Sequence, residues 1–108
     1  MTVKELADKL CLTSINTDDD TREIDGAYTG DLLSWVMGRA KSGNVWVTKM
    51  SNINVVAVAT LCDVSMVILA ENTRLDDDAE KKAAAQGINL YTSEMTSYEL
   101  CREIGKYI

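Results

Sequence analysis

Thr2 and Glu5 bracket the start of a stripe, Val3, Leu6, Ala7 and Leu10, at the spacing of a capping box followed by an amphipathic helix over 3–10. Residues 12–15 suit a short strand, 16–22 (NTDDDTR) a solvated loop, and 24–28 a second short strand. Residues 31–41, DLLSWVMGRAK, have helical spacing, with an acid in the first turn, basic residues in the last and Gly43 just beyond as a stop. Leu32, Leu33, Val36 and Ala40 form one stripe there, while Trp35 and Met37 lie off it. That apolar set is too wide for one buried face, so a subunit contact is the natural candidate.

VWVT at 45–48 is a compact apolar run, as expected of a strand covered on both faces. Ser51 or Asn52 can cap a helix over 54–61, whose Val55, Val56, Ala57, Val58 and Ala59 make it buried or shared. A second buried strand is expected over 64–70. A surface helix follows over 76–86, with three acids at its positive end and a narrow stripe of Ala79, Ala83 and Ala84, and Gly87 supplies its left-handed stop. Residues 88–91 form a third such strand. Thr96 and Glu99 repeat the capping-box spacing before a last helix over 97–107, with Leu100, Cys101 and Ile104 inward. This alternation specifies an α/β fold, a mainly parallel, possibly mixed sheet of about five strands flanked by helices. No repeat, low-complexity segment or proline divides the chain, so residues 1–108 are expected to form a single domain.

Composition narrows the function. The 108 residues carry 11 Lys and Arg against 17 Asp and Glu, a net charge of −6 with pI near 4.5. That is the wrong sign for binding nucleic acid or an anionic membrane through counterion release. There is no His, which excludes HExxH zinc sites and Ser-His-Asp or Cys-His catalysis within the chain. Cys11, Cys62 and Cys101 are odd in number and set among apolar residues, as free thiols in a reducing compartment would be, so a cytoplasmic location is expected. The N-terminus lacks a signal-peptide core, and residues 55–70 are interrupted by Asp63 and too short to span a bilayer.

Candidate chemistry is sparse. The P-loop and GxGxxG signatures are absent, and with them the basis for an autonomous kinase, an NTPase or a dinucleotide cofactor; no cofactor is expected. Gly26 and Gly30 precede the helix at 31–41, so backbone amides near Gly30 could hold an anion, although a tight turn needing glycine for φ alone is the plainer reading. Ligands in open parallel sheets sit beyond the carboxyl ends of the strands. That rule selects Thr29, Gly30, Asp31, Lys49, Ser51, Asn52, Glu71 and Asn72, with Lys49 the one cation among them, and it brings Thr92, Ser93 and Glu94 to the same edge. Asp31 and Glu71 are the pair a carboxylate enzyme would use, the least favoured reading. Asp18 to Asp20 and Asp76 to Asp78 are consecutive and lack the alternation of a calcium loop, so no metal site is expected. Trp35 and Trp46 suit core or interface better than base stacking. Leu33, Trp35, Met37, Ile53 and Val56 are the candidate dimer surface.

The strings GAYTGDLLSWVMGRAKSGNVWVT and NINVVAVATLCDVSMVILAE, followed by a helix, a short strand and TSYELCREI, resemble the DRTGG domain over residues 24–105. The segment aligning with that family's D-R-T reads Ser51-Asn52-Ile53-Asn54, and the position of its glycine pair reads Ala70-Glu71-Asn72, so the namesake letters are missing. DRTGG domains are similar to the N-terminal domain of HPr kinase/phosphorylase, whose kinase chemistry lies in a P-loop domain absent from this chain. The resemblance implies a dimerising regulatory element of the kind that accompanies CBS pairs or P-loop domains. Expected partners are therefore a second copy, a partner protein, or a small ligand such as an adenine nucleotide.

Overall fold

The computed structural model describes residues 1–108. In chain order the elements are α1 (Val3–Lys9), β1 (Thr13–Asn16), β2 (Ala27–Thr29), α2 (Leu33–Arg39), β3 (Val45–Thr48), α3 (Asn54–Cys62), β4 (Met66–Leu69), α4 (Asp77–Ala85), β5 (Leu90–Thr92) and α5 (Ser97–Ile104). They build one mixed sheet of order β1-β5-β4-β3-β2, in which β2 to β5 run parallel and β1 pairs antiparallel with β5.

Strand alternation divides the core into two layers. Trp46, Val67, Leu69 and Leu90 face α2, α3 and α4, while Val45, Val47, Met66, Ile68 and Tyr91 face α1 and α5. Both sides are covered, which is why β3 and β4 are buried at every position. Both expected capping boxes form: Thr2 and Glu5 close α1, and Thr96 and Glu99 close α5. Gly43 and Gly87 take φ of +86° and +69° at the turns that need left-handed backbone.

Several expectations change; among the boundaries, β2 begins at Ala27 rather than at 24 and α5 ends at Ile104 rather than at 107. The helix after β2 starts at Leu33, not Asp31, because Leu32 is extended (φ −83°, ψ 101°), so Leu32 leaves the buried stripe for solvent. α3 carries no side-chain cap; Asn52 Oδ1 instead accepts from Asn54 N at 2.8 Å just ahead of it, and Ser51 is exposed. α3 is not buried all round, since Ile53, Ala57 and Leu61, spaced four apart, face outward.

The acidic loop after β1 is a strap and not a free solvated segment. It crosses the amino ends of the parallel strands, held by three buried side chains at the starts of β3, β4 and β5. Asn44 Nδ2 donates to Asp25 O (2.6 Å), Ser65 Oγ to Glu23 O (2.6 Å) and Asn89 Nδ2 to Asp19 O (2.8 Å), while Asn89 Oδ1 accepts from Asp18 N (2.8 Å). The strap in turn accepts from the first turn of α1, Val3 N to Arg22 O and Lys4 N to Asp20 O.

Candidate functional site

At the carboxyl ends of the parallel strands, six of the eight residues singled out from sequence fall into two clusters, while Ser51 and Asn52 join neither, Asn52 bonding only to Asn54 and Val55 beside it. In the first, Asp31 Oδ1 accepts from Thr48 Oγ1 (2.8 Å) and from Lys49 N (2.9 Å), which pins the β2–α2 turn to the β3–α3 turn. Thr29 Oγ1 and Gly30 N both donate to Val47 O (3.2 Å each), and Gly30 O accepts from Trp46 Nε1 at 3.0 Å. The Lys49 side chain is exposed.

This corrects two readings of Gly30. Its φ is not positive; the constraint is space, because a Cβ there would sit 3.1 Å from Tyr28 Cε2. Its amide is spent on Val47, and the Asp31 carboxylate stands beside it, so the turn ahead of the seven-residue α2 offers no anion cradle.

The second cluster joins the β4–α4 and β5–α5 turns. Glu71 N donates to Met95 O (2.9 Å), Asn72 N to Ser93 O (2.8 Å) and Ser93 N to Leu69 O (3.0 Å). Thr92 Oγ1 donates to Thr73 O at 2.9 Å. Glu71 and Asn72 are both left-handed, at φ +57° each. Two successive left-handed residues therefore occupy the position that the DRTGG resemblance assigns to a glycine pair, in the region glycine enters without strain.

Beside this cluster lies a cleft of about 280 Å³ lined by Leu10, Cys11, Thr13, Asn72, Ser93, Glu94 and Met95. Cys11 and Thr13 were not legible as site residues. They come from the α1–β1 corner, which reaches the cleft only because β1 pairs antiparallel with β5. A second cavity of about 370 Å³ lies between β2 and α5, where Tyr28, Thr29, Val47 and Ile104 make it mostly apolar.

Neither Asp31 nor Glu71 lines either cavity, so the two carboxylates share no pocket in which acid and base could act on one substrate. No three His, Cys, Asp or Glu side chains gather as a metal site. Burial pushes the Cys62 thiol up from its ordinary value, and its Sγ lies 3.6 Å from Val36 O, the setting of a packed thiol.

On the outside of the fold, α2 and α3 pack together, and large apolar side chains on or beside them are exposed: Trp35 (54%), Met37 (52%), Ile53 (42%) and Leu61 (71%), with Leu32 (60%) ahead of α2; Trp35 and Met37, two residues apart around buried Val36, leave α2 in different directions. Arg39 lies over the Trp35 ring at 4.0 Å. Of the candidate dimer residues, Val56 is 1% exposed and belongs to the core, and Leu33 is half-buried against that core. Leu32 and Leu61, which the sequence reading did not single out for that surface, are exposed because α2 starts late and α3 turns a face outward.

No protein-family model matches the sequence, and no curated protein matches it. Among solved structures, the CBS and DRTGG domains of the regulatory region of Clostridium perfringens pyrophosphatase, complexed with the activator diadenosine tetraphosphate, match with a TM-score of 0.79 at 13% identity. The match covers 95% of this chain and 45% of that one, so the chain spans less than half of its structural neighbour. The likeness is one of fold, and it meets the resemblance read from residues 24–105: the chain is built as a DRTGG-like α/β domain.

Proposed function

We propose that the chain is a non-catalytic regulatory module that works as a homodimer through the α2–α3 face. The observation that carries this reading is the exposure of Leu32, Trp35, Met37, Ile53 and Leu61 on or beside two packed helices of a chain whose net charge is −6. Large apolar residues left in water on neighbouring helices suit an interaction surface, and a half-exposed tryptophan is the residue type that dominates interface energy. A second copy, presenting the same apolar residues, is the occupant that matches them in chemistry, with each copy's Arg39 over its own Trp35 ring. Tryptophan emission tests this, because Trp46 is fully buried and only Trp35 can change surroundings. Dilution through the micromolar range is expected to shift the emission to the red as Trp35 returns to water; emission independent of concentration would remove the dimer.

A second reading, sensing of a small ligand such as an adenine nucleotide, is favoured by the regulatory region of the structural neighbour, which was solved with a nucleotide activator. Lys49, exposed on the β3–α3 turn next to the Asp31 clamp, is the cation such a ligand would meet. A nucleotide at about 100 times its dissociation constant should add about 2.7 kcal/mol to stability. Wild type is expected to show that thermal shift and Lys49→Ala to lose most of it; no shift across adenine nucleotides would end this reading. The reducing environment suited to three free cysteines points to the cytoplasm. No helix is long and apolar enough to cross a membrane.

A further inference from the structure

The crossovers place α2, α3 and α4 on one face of the sheet and α1 and α5 on the other. Strands β2, β3 and β4 therefore all send their chains to the same side, and neighbouring turns there stay packed together, as the Asp31 clamp shows. Only between β4 and β5 do adjacent parallel strands send their chains to opposite faces, β4 to α4 and β5 to α5. Such a divergence of chains is where an open α/β sheet can form a ligand crevice. Here the two turns themselves are tied by Glu71 N to Met95 O and Asn72 N to Ser93 O, and the cleft of about 280 Å³ lies beside those ties, bounded by Asn72 after β4, by Ser93, Glu94 and Met95 after β5, and by the α1–β1 corner.

We infer that this cleft is a binding site for a small primary amine that also carries a hydroxyl or carbonyl group. The inference rests on the ligand-sensing reading but moves the site away from the Lys49 turn. No lysine or arginine lines the cleft, and Glu94 brings a carboxylate to it, so it favours a cation over a phosphate. Ser93 is nine-tenths buried. Its Oγ accepts from Met95 N at 3.1 Å, which leaves its hydroxyl proton free to donate to a ligand oxygen. Asn72 adds a carboxamide, and Leu10 and Met95 form an apolar wall for a short carbon chain.

The test is an amide NMR titration of the full chain with ethanolamine, with N-acetylethanolamine as the uncharged counterpart and ATP as the anionic one. Ethanolamine is expected to give saturable millimolar shifts at Asn72, Ser93, Glu94 and Met95, with N-acetylethanolamine and ATP silent there. Glu94→Gln, a change at an exposed side chain, should weaken the ethanolamine response about fivefold while the remaining spectrum shows an intact fold. Lys49→Ala should leave it unchanged. Equal response to the uncharged analogue, or no saturable response at those four amides, would overturn the inference. ATP shifts at the Lys49 turn with no ethanolamine response at the cleft would overturn it while leaving the ligand-sensing reading in place; silence toward all three probes would remove both.

Discussion

Glu71 and Asn72 hold a backbone conformation that their side chains do not favour. A left-handed residue other than glycine costs roughly 1 kcal/mol, somewhat less for Asn, and here two occur in succession at φ +57°. They stay there because their amides are fixed by Met95 O and Ser93 O across the β4–β5 parting. Glu71→Gly should therefore leave stability unchanged or raise it by up to about 1 kcal/mol, while Glu71→Val should lower it by about 1–2 kcal/mol. Urea midpoints of the two variants check this; a destabilising glycine would show that the Glu71 side chain, and not its backbone, holds the turn. The sequence placed both residues at a ligand-facing edge but could not show that they belong with Ser93 and Met95 rather than with Lys49. That grouping depends on which face each later helix takes, and residues 96–99 carry the same capping signal whichever face α5 covers.

At the scale of elements, local chemistry was read well wherever a cap or a buried run decided it. α1, α5, β3 and β4 all form where spacing placed them, β3 at its expected bounds, α5 ending at Ile104 rather than 107 and β4 narrowed to Met66–Leu69, because capping boxes and doubly covered strands are written within a few residues. The strap after β1 was not legible: its acids look like any solvated loop, and its anchors are 19 to 71 residues away, at Asn44, Ser65 and Asn89. Asn89 is the most connected of these, reaching Asp18 N, Asp19 O and Ser65 O. Asn89→Ala should leave those buried or half-buried groups unpaired and cost about 2–4 kcal/mol, seen as a lower urea midpoint. A loss below half a kcal/mol would mean that water replaces the amide and the strap is held elsewhere. A second tie is acid-sensitive. The hydrogen bond from Ser42, then Arg22, holds the Asp63 carboxyl below its ordinary value, and Arg22 also donates to Asp63 O at 2.7 Å. A depressed carboxylate contributes stability that is present above its unfolded value and is lost as pH falls through the folded one. Stability should therefore fall on acidification below the ordinary carboxylate range, and Asp63→Asn should show a shallower fall; equal slopes would exclude Asp63 as a contributor.

For the whole molecule, the fold leaves several large apolar side chains of α2 and α3 unburied, and the account turns on what covers them. The width of the apolar set over residues 31–41 pointed to such exposure, and the structure adds Leu61 and Leu32 to the exposed residues while Val56 is core and Leu33 half-buried. A chain of charge −6 meeting its own copy must overcome like-charge repulsion, so the contact has to rest on apolar burial, with Arg39 over Trp35 supplying a local positive charge. Sedimentation equilibrium of wild type beside Trp35→Glu at micromolar concentration tests this most directly. The expected result is a two-chain mass for wild type and a single-chain mass for a folded Trp35→Glu; a wild type that sediments as one chain throughout, or a variant that still pairs, would contradict it.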